Sequence, residues 1–280
     1  MEQMRNFILI LCMVFGFTVI GNAQESERIK GDKNLTINQT YIDGFKKVVI
    51  GEDFKVELFY NKKPSVEIET DDNLHQYINI EVVDSTLNIT TSGDIRPKKL
   101  DVKINYGDGF SEIEVRQNGE VRSLTSLELN NASLKTSGSA RAYLNIKTNT
   151  FTFNSSDKTK IKLNVTANNV EAVISDNTKL DALVNATDVK MDLYQRANVD
   201  IEGVTDSLRI RTDNNAQFNG KNFTSKSCRV VAEMASDVYV EVMEDIDIET
   251  SGSSEIYLYG NPKITISRFL DTAKIQKKEK

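Results

Sequence analysis

Apolar and polar residues alternate along this chain in short runs, and the runs recur at a fixed step. Moving from Ala140 by about nineteen residues at a time reaches Thr159, Thr178, Ala197, Ala216, Ser236 and Ser254, the last two steps being twenty and eighteen. Every residue in that column is small. Two places later the column reads Ala142, Ile161, Leu180, Val199, Phe218, Val238 and Ile256. Two further on it reads Leu144, Leu163, Ala182, Ile201, Gly220, Val240 and Leu258. Alternation of this kind marks a strand with one buried face. A second strand column precedes each corner: Phe151 and Phe153, Val170 and Ala172, Val189 and Met191, Leu208 and Ile210, Cys228 and Val230, Ile246 and Ile248, Ile264 and Ile266. Polar corners rich in Ser, Asn, Asp and Gly divide the strands. Their side chains hydrogen-bond local backbone and tolerate left-handed conformations. Thr136-Ser137-Gly138-Ser139-Ala140 and its near copy Thr250-Ser251-Gly252-Ser253-Ser254 stand 114 residues apart, six periods.

A fixed period of this length signals a repeat architecture. One unit cannot bury its apolar face alone. Stacking successive coils pairs like strand with like strand about 4.8 Å apart, so the inward side chains form ladders. The prediction is an all-β fold, a parallel β-helix built as a solenoid of ~19-residue coils. An antiparallel β-sandwich also fits short strands at this spacing, but it gives no reason for column-by-column identity.

Within the chain, residues 1–23 read as a signal peptide, with Arg5, an apolar stretch from Phe7 to Ile20, and Gly21-Asn22-Ala23 before the cleavage point. That stretch is too short to span a bilayer, so no stable transmembrane span is expected after cleavage. Residues 24–40 read as a mobile polar leader. Residues 41–268 read as one β-helix domain, with 41–125 a wider, less regular part and 126–268 the regular array. Residues 269–280 read as a C-terminal tail in which Phe269 and Leu270 fold over the open end.

Charge and chemistry then narrow the function. The net charge of −6, with no basic stripe, argues against nucleic acid as a partner. Cys228 is the only cysteine beyond the signal segment and lies in an inward column, where it serves as a small apolar filler. His75 is the only histidine and belongs to no motif. There is no phosphate loop, Gly-x-Ser-x-Gly elbow or His-Glu-x-x-His. The corner acids Asp157 and Asp176 share a column on adjacent coils, so they could shift a pKa or hold Ca²⁺. The plainer reading is a solvated corner. No catalytic, cofactor-binding or metal-ligating residue is assigned. Outward positions carry Lys135, Lys147, Lys160, Lys162, Lys179, Arg209, Arg211, Lys226 and Arg229, and the tyrosines Tyr143, Tyr194, Tyr239, Tyr257 and Tyr259. Most simply this is a mixed charged surface; more narrowly it is a face for acidic envelope glycans.

The Thr-Ser-Gly-Ser-Ala corner and the closing run from Ser251 to Lys263 (Ser-Gly-Ser-Ser-Glu-Ile-Tyr-Leu-Tyr-Gly-Asn-Pro-Lys) resemble the auto-transporter adhesin head GIN domain family (DUF2807) over roughly residues 45–265. The resemblance implies a right-handed β-helix exported to the Gram-negative envelope, in the periplasm or on the outer surface. It supplies no catalytic residues. Tyr194-Gln195-Arg196 and Glu233-Met234-Ala235 depart from the family's Ser-Gly corner. The function expected is a non-enzymatic, adhesin-like binding or structural module, with envelope glycans or another envelope protein as partner. The alternatives are a polysaccharide lyase or hydrolase on the same scaffold, and a scaffold that assembles through its terminal coil edge.

Overall fold

A computed structural model describes residues 28–280. The signal segment and the start of the leader lie outside the described residues. The chain forms a β-solenoid of about nine turns, in which Ile161, Leu180 and Val199 sit rung over rung in parallel ladders. This arrangement excludes the sandwich. From Lys160 to Thr250 each coil is one long strand: Lys160–Ile174, Lys179–Tyr194, Asn198–Asp213, Gln217–Ala232 and Asp237–Thr250. The two strand columns of the sequence are therefore two arms of one bent strand, and only the polar corner interrupts the ladder. We call the arm after a corner the first wall and the arm before the next corner the second wall.

The small-residue column lies on the inside of the corner, where Ala140, Thr159, Thr178, Ala197, Ala216, Ser236 and Ser254 are all fully buried. Each corner also needs one left-handed residue. That position is filled by Gly138, Asp157, Asp176, Gln195, Asn214, Met234 and Gly252, all with φ between 58° and 73°. The departures at Gln195 and Met234 thus change the residue and keep the turn. The twenty- and eighteen-residue steps arise from register shifts between Asp200 and Glu202, between Gly220 and Thr224, and between Ser225 and Ser227. The wall absorbs the extra or missing residues as bulges.

The irregular N-terminal part has a specific cause. Lys47–Ile50 and Lys55–Tyr60 form a coil, but the chain then climbs above it. Thr86–Thr91 stacks on Lys47–Ile50, and Leu100–Tyr106 on Lys55–Tyr60. The chain next drops beneath the first coil, where Glu112–Val115 and Glu120–Arg122 pair with its lower side. Spatial order differs from chain order, so no period shows. Antiparallel strands close the top: Ser65–Asp71 on Leu100–Tyr106, Leu35–Tyr41 on Ser65–Asp71, and Ile78–Val83 on Thr86–Thr91. The expected wider solenoid is in fact a stack with an antiparallel cap.

Two further expectations are corrected. Much of the polar leader is ordered: Leu35–Tyr41 is an edge strand, and the buried Asp71 carboxylate accepts the backbone amides of Lys33 and Lys98 at 2.6 Å each. The leader is polar because an edge strand on a cap is mostly solvated. At the other end Lys274–Lys277 adds a partial coil in parallel with Glu255–Tyr259. Phe269 and Leu270 do not cover the open end; both are about half exposed.

Candidate binding wall

The first wall presents its outward side chains in straight columns because the ladder is in register. One column runs Arg122, Tyr143, Lys162, Asp181, Asp200, Asn219, Tyr239, Tyr257. Aromatic rings thus stand at two levels of a polar stripe, five rungs or about 24 Å apart at about 4.8 Å per rung. At the upper level the Arg122 guanidinium lies 4.8 Å from the centre of the Tyr143 ring. At the lower level Tyr239 and Tyr257 stack with centroids 4.3 Å apart and planes 10° from parallel, and the Lys278 ammonium sits 5.0 Å from the Tyr257 ring. Tyr257 donates its hydroxyl hydrogen to Glu255, which raises the phenol pKa. Glu255 also accepts from Lys274 at 2.7 Å, and these two bonds lower its own pKa. Between the rings, amides link neighbouring rungs: Asn219 donates to Asp200 at 2.7 Å, and Asn198 to Gln217 at 3.1 Å. The rings are therefore held in place, with little rotamer freedom left to lose on binding.

The wall brings together Tyr143, Tyr239, Tyr257 and Tyr259 from the sequence candidates, with Lys160, Lys162 and Lys179. Tyr194 belongs to the end of the second wall, as do Lys135, Arg209, Arg211 and Arg229. There the cations interleave with carboxylates: Arg211 and Arg268 both reach Glu233, and Arg229 reaches Glu249. This matches a mixed, solubilising surface.

The acidic corner pair has a structural task. Asp157 accepts the Gly138 amide at 2.8 Å, and Asp176 accepts the Asp157 amide at 3.2 Å and the Ser175 hydroxyl at 2.8 Å. Each carboxylate ties its corner to the corner above. Among the described residues, no group of three His, Cys, Asp or Glu side chains converges to hold a metal ion. Burial pushes the Cys228 thiol pKa up, which keeps it protonated. His75 bonds the Thr36 hydroxyl at 3.0 Å and helps hold the cap.

Sequence reasoning missed a cleft of about 760 Å³ beside the cap, lined by Tyr60, Tyr106, Phe110 and Asp108. Tyr60 donates to Asp108 at 2.9 Å, which raises the phenol pKa. These residues come from coils that are out of chain order, so no periodic signal points to them.

Stacked parallel coils with outward side chains in register define a β-solenoid. The chain belongs to the family described as "Putative auto-transporter adhesin, head GIN domain", whose model matches residues 44–183 and 173–262. No curated protein matches it in sequence. Among solved structures it is similar to a "putative adhesin" from Parabacteroides merdae ATCC 43184, at 15% identity, TM-score 0.67, and coverage of 89% of this chain and 98% of that one. A "putative adhesin" from Parabacteroides distasonis ATCC 8503 gives 16% identity, TM-score 0.67, and coverage of 89% and 99%. A "Putative lipid binding protein" from the same organism gives 18%, 0.57, 90% and 99%. At these identities the likeness establishes the fold. Among the described residues no helix is long and apolar enough to cross a membrane.

Proposed function

We propose that the chain is an exported, non-enzymatic, adhesin-like module of the Gram-negative envelope, and that its first wall binds a linear glycan lengthwise. The observation that supports this reading is the column with Tyr143 at one level and the Tyr239–Tyr257 stack at another. Fixed rings on a polar stripe offer sugars their outward edges and the faces left free by Arg122, Lys278 and the ring pair, and the amides between them offer hydrogen bonds. A catalytic reading requires two carboxylates poised across a cleft, whereas Asp157 and Asp176 hold backbone amides. A glycan array on the exported chain tests the proposal. Tyr143→Ala and Tyr257→Ala should each weaken retained glycans at least tenfold. Polysaccharide cleavage lost in Asp157→Ala, with folding intact, would make the chain an enzyme instead. Protease accessibility on intact cells and spheroplasts separates surface from periplasm.

A second reading rests on the open end. Ile264 and Ile266 continue two inward columns into solvent at 47% and 52% exposure, on a strand whose outer edge is unpaired among the described residues. An apolar edge of this kind invites strand addition. A second copy, meeting this end with the same edge, would cover both. Sedimentation should then show a dimer that Ile266→Asp abolishes; a monomer at high concentration counts against it.

A further inference from the structure

The first wall also carries a column beside the aromatic one, and its charge is unevenly distributed. Arg141, Lys160 and Lys179 occupy three successive rungs in register. Asn198 and Gln217 follow, and then Asp237 and Glu255. Rung spacing holds the three cations about 4.8 Å apart along the ladder. Neither lysine is ion-paired among the described residues. Arg141 reaches Glu120 at 3.6 Å, and Arg122 binds the same carboxylate at 2.6 Å. Asp157 and Asp176 accept backbone amides, and Asp181 reaches Lys162 at 3.7 Å. The two stacked lysines repel each other, and an anion laid across them removes that repulsion. Tyr143, Lys160, Lys162 and Lys179 border one depression of about 430 Å³, which Asp181 and Asp200 also line, the first reaching Lys162 and the second accepting from Asn219 at 2.7 Å. Arg122 sits over the Tyr143 ring at 4.8 Å, so the ring is fixed within reach of these cations.

We infer that the Tyr143 end of the wall is a subsite for an anionic sugar, one that bears a carboxylate or sulfate. The ring stacks on Tyr143, and the acid group lies across Lys160 and Lys179. This rests on the glycan-binding reading of the wall and specifies its substrate class. At the opposite end Glu255 is neutralised by Lys274 at 2.7 Å, so the preference for an acid group is assigned to the Tyr143 end alone.

The test uses the exported chain with oligogalacturonate, its fully methyl-esterified form and a sulfated heparin-derived oligosaccharide, in calorimetry at two salt concentrations. Expected is binding of one or both anionic probes, at least tenfold tighter than the neutral ester and weakened by salt. Lys160→Gln with Lys179→Gln should remove that preference and flatten the salt dependence, while the thermal midpoint stays level or rises, since the repulsion between the lysines is gone. Tyr143→Ala should weaken charged and neutral probes alike. Equal affinity for acid and ester, or an unaltered double variant, overturns the anionic subsite. If none of these probes binds while the array retains a neutral glycan, the subsite falls and the binding wall stands. If nothing binds in either experiment, both fall.

Discussion

The Asp157 carboxylate accepts the amide of Gly138 one coil above it, at 2.8 Å, while both residues hold a left-handed backbone. The same bond recurs from Gly252 to Asp271, also at 2.8 Å. Asp157→Asn should be nearly neutral, since asparagine keeps an acceptor and tolerates this conformation. Asp157→Ala should cost about 1–2 kcal/mol. Gly138→Ala should cost about 1–3 kcal/mol, because its φ is +73° and a Cβ would sit 2.9 Å from the Gln117 backbone. Chemical denaturation measures all three. An Asp157→Ala variant as stable as the parent would show that the corner bond contributes nothing, and an unaffected Gly138→Ala that the turn tolerates a Cβ.

Asp71 clamps the N-terminal segment to the cap through the amides of Lys33 and Lys98. Gly31 approaches so closely that a Cβ there would lie 2.2 Å from the Asp71 Cγ. Asp71→Ala leaves two amides without their acceptor, at about 2–4 kcal/mol. Limited proteolysis should then cut within residues 28–41 and leave the regular coils intact, since distant coils are coupled only through neighbours. Protection equal to that of the parent protein would refute the clamp.

Glu114 is buried, and burial alone would raise its pKa. Hydrogen bonds from Arg116 at 2.7 Å and Lys47 at 2.6 Å outweigh that effect, and its pKa falls to about 2. A carboxylate depressed in the folded state stabilises above its unfolded pKa and loses that contribution as pH falls through the folded one. Roughly 2–3 kcal/mol should therefore disappear between about pH 4.5 and pH 2. Glu114→Gln should flatten this part of the stability–pH curve. An unchanged slope would assign the acid sensitivity to other carboxylates.

Cys228 stands in an inward column between Leu208 and Ile246, and burial raises its thiol pKa. In a chain of residues 24–280, a thiol reagent should fail to label Cys228 in the native protein and should label it in denaturant. Rapid native labelling would mean that the coil opens locally.

The regular array was legible before any coordinates. Burial of Ile161, Leu180 and Val199 in one ladder follows from their spacing, as does the buried, small column from Ala140 to Ser254. The candidate site was only partly legible. The sequence placed Tyr143, Tyr239 and Tyr257 on an outward face, but not their pairing with Arg122 and Lys278. Outward side chains are not constrained by packing, so their neighbours emerge only once coils are in register.

By itself the sequence determined the period, the inward columns and hence the parallel stacking, because alternation and a constant step decide which side chains leave water. Only the tertiary structure decided that the coil at Lys47–Tyr60 lies beneath strands that follow it in the chain, and that Asp71 holds Lys33 and Lys98 from 38 and 27 residues away. An apolar ladder accepts any similar coil as its next rung. The order of stacking is therefore chosen by edge pairing and long-range hydrogen bonds, which leave no local mark in the pattern of residues.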